Sequence, residues 1–128
     1  MKKYFIQLVF FTSLIELLII LFFNFFNFTQ VILIKNLFNY HLLNLILNLF
    51  IILILNYFLA YIYLNVIKKD GNLIYISLGI FLGFLYFGIY KLMNYHEIIQ
   101  LIDILCIIFV NIFKTYMICY SLFYKYLL

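Results

Sequence analysis

The sequence has very little charge. Only 9% of its 128 residues are charged, and its eight cationic residues are all lysines, with no arginine. A soluble domain usually has about a quarter charged residues, whereas 70% of this chain is hydrophobic. Lipid is therefore the expected solvent. The predicted fold class is an all-α integral membrane protein, in which four transmembrane helices and short loops form one antiparallel bundle over residues 1–128.

Proline and tryptophan are absent, and glycine occurs only four times, while Phe, Tyr, Ile, Asn and Lys are abundant. The abundant residues have AT-rich codons, so we interpret the bias first as genome composition. The net charge of +4 is divided among the expected loop ends. Nucleic-acid binding requires a clustered basic face, which excludes nucleic acid as a partner. The expected partners are membrane lipids and other membrane proteins or a second copy of the chain.

Cysteine is scarce too, since only Cys106 and Cys119 occur. Both lie in the last hydrophobic segment, where a straight helix would separate them by about 20 Å, and this distance excludes a disulfide between them. The sequence has no metalloprotease motif, no CxxC pair and no glycine-rich phosphate loop. Ser13, Ser77 and Ser121 have no histidine close in sequence. We therefore expect no enzymatic activity and no cofactor.

The sequence consists mainly of long apolar runs. A helix needs about 20 apolar residues to cross a bilayer core about 30 Å thick, and four such runs are predicted at 4–26, 41–66, 73–93 and 98–117. The first follows a basic start, but it is too long for a signal-peptide core and lacks a small-residue cleavage site, so we expect an uncleaved span. Residues 28–41, "FTQVILIKNLFNYH", are either an interfacial helix or an extension of the first span.

The lysines predict the orientation, because cytoplasmic loops carry an excess of positive charge. A turn at Asp70 and Gly71, an Asp-Gly pair that favours chain reversal, joins the second and third spans. We expect this turn and both termini in the cytoplasm, in a multi-pass protein of the cell membrane. The lysines on that side are Lys2, Lys3, Lys68, Lys69 and Lys125, with Lys114 near the same surface, and those opposite are Lys35 and Lys91.

Glu16 lies about halfway through the first span. A carboxylate at that depth is costly and marks a partner or a pathway, and desolvation keeps it protonated unless a cation reaches it. It is either part of a proton or cation relay or, as we prefer, a neutral carboxyl bonded to Asn or Tyr of a neighbouring helix. Asp103 lies near the outer end of the fourth span, where we expect it to reach the interface or water.

His41, Asn44 and Asn48 follow one another at helical spacing on one face of the second span, and Asn24 and Asn27 form a similar pair at the end of the first. Such amides hydrogen-bond between membrane helices. A polar seam between these spans is predicted, which favours helix adhesion over a path for a transported solute.

Two histidines are weak metal candidates. His41 and His96 are both expected at the outer face, with Glu97 beside His96. Imidazoles and a carboxylate can bind zinc, but no metal-site spacing supports this arrangement. The prediction is that the chain has no metal site.

Gly79 and Gly83 stand four residues apart in the third span. Small residues at this spacing allow two helix backbones to approach closely. We favour packing within the bundle, and homodimerisation is the alternative.

The third span and its turn, "DGNLIYISLGIFLGFLYF", resemble the spore cortex biosynthesis protein YabQ family of endospore-forming Firmicutes. In that family a Gly-Glu-x-Arg-x-Tyr turn precedes a glycine-spaced span that ends in an aromatic pair. Asn72 and Ile74 replace the Glu and Arg of the family turn. The matching residues are Gly71, Tyr75, Gly79, Gly83, Tyr86 and Phe87.

The resemblance implies a non-enzymatic protein of sporulation, linked to formation of the cortex peptidoglycan and to the membranes around the forespore. It transfers no catalytic residue. The hypothesis is a scaffold or assembly factor that acts through helix contacts, with Gly79, Gly83 and Tyr75 as its packing residues. The alternative is an oligomeric transporter or channel that uses Glu16 and the Asn/His seam. A membrane enzyme with an outer-face metal ranks last.

Overall fold

The structure is a computed structural model, and it describes residues 2–25, 41–93 and 101–127, with side chains at 3–22, 42–92 and 101–127. All of these residues are helical except the turn at 68–71. The helices are α1 (Lys2–Phe25), α2 (His41–Ile62), α3 (Asn72–Met93) and α4 (Leu101–Leu122). Five-residue π-helical turns, Tyr63–Ile67 and Phe123–Leu127, extend α2 and α4.

The four helices are long and apolar enough to cross a membrane. The apolar segments are Lys3–Phe22, Leu42–Ile67, Asn72–Leu92 and Leu101–Leu127, with a mean hydropathy of 2.0 to 2.4. Among the described residues, the predicted number of four such helices is confirmed. The fourth helical segment continues beyond residue 117, where its span is predicted to end, to Leu127. Lys114 is predicted to lie near a surface. Its side chain is only 2% exposed, and α4 is continuous through this residue.

Neighbouring helices run antiparallel, as two apolar clusters show. One contains Val9 of α1, Tyr63 at the end of α2, Tyr75 near the start of α3 and Leu122 of α4. We call this the terminal end, because the rings of Tyr4 and Tyr126, near the two chain ends, lie there 5.7 Å apart. The other cluster, at the opposite end, comprises Ile20, Ile52, Tyr86, Tyr90 and Ile107.

The closest packing is between α3 and α4, and α1 contacts both α2 and α4. A Cβ built on Gly79 would lie 2.6 Å from Ile112 Cα, and one on Gly83 would lie 3.2 Å from Ile108 Cγ1. Gly88 faces open space, with nothing within 4 Å of such a Cβ. The glycine pair therefore lets α4 approach α3 within a single chain.

The outer surface is apolar and the interior contains polar groups. Large hydrophobic side chains are exposed on every helix, among them Phe11 of α1, Phe50 of α2, Phe84 of α3 and Phe109 of α4. A soluble protein rarely exposes large contiguous apolar patches, so this surface is typical of a protein surrounded by hydrocarbon. The buried polar residues are Thr12, Ser13, Glu16, Asn48, Asn56, Asp103, Asn111, Lys114 and Thr115.

Candidate functional site: a buried ion pair between three helices

A buried ion pair lies between α1 and α4. Lys114 Nζ is 2.9 Å from Glu16 Oε1, and the side chains are 2% and 1% exposed, respectively. The second carboxylate oxygen, Oε2, accepts a hydrogen bond of 3.1 Å from Asn56 Nδ2 of α2. One carboxylate therefore joins three helices, and both of its oxygens have a donor.

Asn56 and Ser13 complete the arrangement. Asn56 Nδ2 also donates to Ser13 Oγ at 2.9 Å, so both hydrogens of its amide group have an acceptor. Ser13 lies one turn before Glu16, on the same face of α1, and its hydroxyl donates to the Val9 carbonyl at 2.7 Å. We call Ser13, Glu16, Asn56 and Lys114 the polar cluster.

Three buried oxygen atoms, all of them among the described residues, have no hydrogen-bond partner there: Thr12 Oγ1, Asn56 Oδ1 and Asn111 Oδ1. Asn111 lies one turn before Lys114 on α4, and its amide nitrogen donates to the Ile107 carbonyl at 2.8 Å. Buried polar atoms usually have a partner, often an ordered water. The interior thus has unused hydrogen-bonding capacity on each of the helices that form the polar cluster.

The sequence predicted part of this site. The preferred interpretation is a neutral Glu16 carboxyl bonded to Asn or Tyr of a neighbouring helix, and Asn56 of α2 is such a partner. The interpretation did not include a cation, yet Lys114 lies against the same carboxylate. Lys114 is predicted near the cytoplasmic surface, whereas its side chain is buried in the bundle. Asn111, Lys114 and Thr115 share one face of α4 at helical spacing, and this pattern is the signal that would have predicted a buried polar face.

The ion pair also determines what the cluster can do chemically. Two opposite charges at 2.9 Å compensate each other's loss of hydration, and removing one partner leaves the other as an uncompensated buried charge. A carboxylate and an ammonium in contact can also exchange a proton. The geometry is therefore compatible with a link between helices and with a step in proton transfer.

A second group of side chains holds the turn between α2 and α3. The Tyr75 hydroxyl donates to Asp70 Oδ1, and the Tyr63 hydroxyl donates to the Lys69 carbonyl at 2.8 Å. The two hydroxyl oxygens lie 3.3 Å apart. Gly71, with a φ of +157°, occupies a conformation that other residues rarely adopt. Asp70 and Gly71 thus form the turn, and Tyr75 attaches it to the bundle.

Asn72 and Tyr116 connect this turn to α4. The Tyr116 hydroxyl donates to Asn72 Oδ1 at 3.1 Å, and the rings of Tyr75 and Tyr116 meet edge to face with centroids 5.1 Å apart. Asn72 stands where the resembled family has Glu. Here its side chain is an acceptor at the start of α3 and binds the neighbouring helix.

Asn44 and Asn48 are the residues of the predicted seam whose side chains the structure describes. Asn48 is buried, and its amide nitrogen donates to the Asn44 carbonyl of its own helix at 2.7 Å. The side chains of Asn24 and His41, and all of Asn27, lie outside the described residues, so the seam between the first two helices stays a prediction.

Asp103 does not lie where we expected it. The residue is 6% exposed, so the expectation that its carboxylate reaches water is wrong, and its position at the membrane interface stays a prediction. The residue lies in the first turn of α4. A carboxylate there is favoured by the unpaired N–H groups of the helix start, which gives a reason for its burial.

The weak metal candidates have no described geometry. His96, Glu97 and the side chain of His41 lie outside the described residues. In the parts of the chain that the structure describes, no group of three or more His, Cys, Asp or Glu side chains could hold a metal ion.

Comparison with known proteins identifies no family for this chain. No protein-family model, curated protein or solved structure matches the chain significantly. The class that the structure defines is an all-helical protein with four helices long and apolar enough to span a membrane.

Proposed function

We propose that the protein is a multi-pass integral membrane protein with both termini in the cytoplasm. Its apolar exterior and polar interior support this placement. The regions near both chain ends and the turn with Lys68 and Lys69 lie together at the terminal end of the bundle, which agrees with the lysine distribution. Lys91, in the last turn of α3, lies at the opposite end.

Within that membrane we propose a non-enzymatic role, as an assembly factor or scaffold in the formation of the spore cortex. The supporting observation is the structural role of the residues that match the pattern of the YabQ family. Gly71 lies in the turn, and Tyr75 hydrogen-bonds to the turn residue Asp70. Gly79 and Gly83 leave room for the close approach of α4. Tyr86 is buried in the apolar cluster at the opposite end. The shared pattern thus specifies the shape of a helical hairpin. The surface left for partner helices is formed by the large apolar side chains that are exposed on every helix.

The first test follows the protein in its host during sporulation. We expect a fluorescent fusion, expressed from the native promoter, to appear when sporulation starts and to encircle the forespore. Deletion of the gene should lower the yield of heat-resistant spores and thin the cortex seen by electron microscopy. Constant expression in vegetative cells, or a normal cortex in the deletion strain, would refute the sporulation role.

Proton transfer is the second candidate function, and the ion pair is the observation that favours it. Glu16 and Lys114 are in contact at the centre of the bundle, and Asn56 Oδ1 is a buried acceptor without a partner among the described residues. Ionisable residues inside a membrane bundle often mark proton paths. A single chain of this length is too small to enclose a pore, so this function would require several copies.

Proton flux into vesicles distinguishes the two functions. The purified protein is reconstituted with a pH-sensitive dye inside, and a pH gradient is applied. If the scaffold proposal holds, wild type and Glu16→Gln give the same background flux, because the pair only links helices. A flux that wild type and the surface variant Gly88→Ala show, and that Glu16→Gln abolishes, would favour proton transfer.

A further inference from the structure

A lateral cleft opens at the terminal end, between α1, α2 and the last turn of the chain. Its volume is about 690 Å³. Phe5 and Ile6 of α1 form one wall, and the far wall includes Tyr126. A third wall runs along α2 and its π-helical extension to the turn, and it consists of Tyr57, Tyr61, Leu64, Asn65 and Lys68.

The chemistry of the cleft changes along its length. Tyr57 and Tyr61 are about half exposed and lie one turn apart, and with Ile6 they form an apolar slot that opens sideways. Lys68 ends the third wall, at the turn, where it is exposed. An apolar slot that leads to a cation matches a molecule with a hydrocarbon chain and an anionic head.

The surrounding charges strengthen this match. Lys125 lies beside the cleft, with its Nζ 5.3 Å from the centre of the Tyr4 ring, and no ion pair involves Lys68 among the described side chains. Among the described side chains, the terminal end has four positive charges and one negative charge, that of Asp70. The positive charges are those of Lys3, Lys68, Lys69 and Lys125. Lysines at the end of a membrane bundle attract anionic headgroups. The charge complementarity therefore selects an acidic lipid over a neutral one.

The size of the cleft argues against a partner helix as its occupant. A helix about 10 Å across occupies about 120 Å³ for each 1.5 Å of rise. A space of about 690 Å³ is less than the volume of two helical turns, so a partner span could place only side chains in it. A single acyl chain is thinner and flexible, and it can follow the third wall.

We propose that this cleft binds one anionic phospholipid, with an acyl chain between Ile6, Tyr57 and Tyr61 and the phosphate at Lys68. The inference rests on the proposed membrane placement, because only a protein in a bilayer meets such a lipid from the side. It goes beyond that placement by assigning a ligand class and a binding site.

Native mass spectrometry tests the site with the full chain. The protein is equilibrated with an equimolar mixture of phosphatidylglycerol and phosphatidylcholine that have the same acyl chains. We expect wild type to retain phosphatidylglycerol about fivefold more than phosphatidylcholine, the ratio given by one lysine near an anionic surface. Lys68→Gln should remove this preference, whereas Lys91→Gln, which deletes a charge at the opposite end, should keep it.

A second pair of variants tests the apolar slot. Ile6→Trp fills the cleft, and we expect it to lose both lipids. Leu105→Trp makes the same kind of change at an exposed position of α4, and it should retain them. Equal effects of the two lysine variants, or bound lipid in Ile6→Trp, would overturn the lipid site. A dimer mass in wild type that Ile6→Trp abolishes would instead assign the cleft to a second copy of the chain.

Membrane fractionation separates failure of this site from failure of the proposed placement. Wild type and all four variants should stay with the membrane pellet after an alkaline wash. Release of wild type into the supernatant would overturn the placement and, with it, the lipid site. Retention in the pellet without a preference for phosphatidylglycerol would overturn the site alone.

Discussion

Replacing Lys114 with methionine is expected to lower the free energy of unfolding by about 3–5 kcal/mol, the usual cost of breaking a buried ion pair from one side. Methionine keeps the length of the side chain and removes its charge. Glu16 then has only the Asn56 amide as a donor, and its carboxylate must either remain charged without a cation or take up a proton. The measurement is denaturant unfolding in detergent micelles.

A double variant provides the control. Glu16→Gln combined with Lys114→Met removes both charges and leaves a neutral amide whose oxygen can still accept the hydrogen bond from Asn56 Nδ2. We expect this variant to recover most of the lost stability, since a neutral replacement for a buried pair is often close to neutral in free energy. If the double variant is as unstable as Lys114→Met alone, the loss comes from packing and the two charges are not coupled.

The same pair shows what the sequence can and cannot predict. Glu16 stands out in an apolar run, so its cost in a membrane and its need for an amide partner follow from its position. Lys114 is 98 residues away in sequence, and each of the two could have been explained separately, one as a buried carboxyl and the other as a charge near a surface. Only the antiparallel arrangement of α1 and α4 brings them into contact. A single sequence specifies the periodicity of each helix but not the rotation of one helix against another.

Local features were easier to predict for a physical reason. The Asp70–Gly71 turn depends on residues next to one another, and the four helices depend on the length of apolar runs, so both follow from short stretches of sequence. The fourth helix continues beyond residue 117, where its span is predicted to end, to Leu127, and Lys114 lies inside it. A lysine within a membrane helix needs a partner for its charge, and here Glu16 is that partner.

The second large effect on stability is expected for a substitution at Gly79. Gly79→Ala should lower the free energy of unfolding by about 1–3 kcal/mol, as overpacking of a tight contact does. The added Cβ would lie 2.6 Å from the Ile112 Cα and 2.9 Å from its amide nitrogen. These are backbone atoms, so α4 as a whole must move away. Thermal unfolding in detergent measures the loss.

Gly83 and Gly88 provide graded controls on the same helix. At Gly83 the nearest atom to the added methyl is the flexible Ile108 side chain at 3.2 Å, so Gly83→Ala should destabilise less than Gly79→Ala. At Gly88 the methyl meets nothing within 4 Å. Gly88→Ala should therefore leave stability unchanged or raise it by up to about 1 kcal/mol, through the better helix propensity of alanine. Equal losses of stability at all three positions would mean that the glycines act through backbone flexibility. A loss that decreases in the order Gly79, Gly83, Gly88 would show that their role is in the contact between α3 and α4.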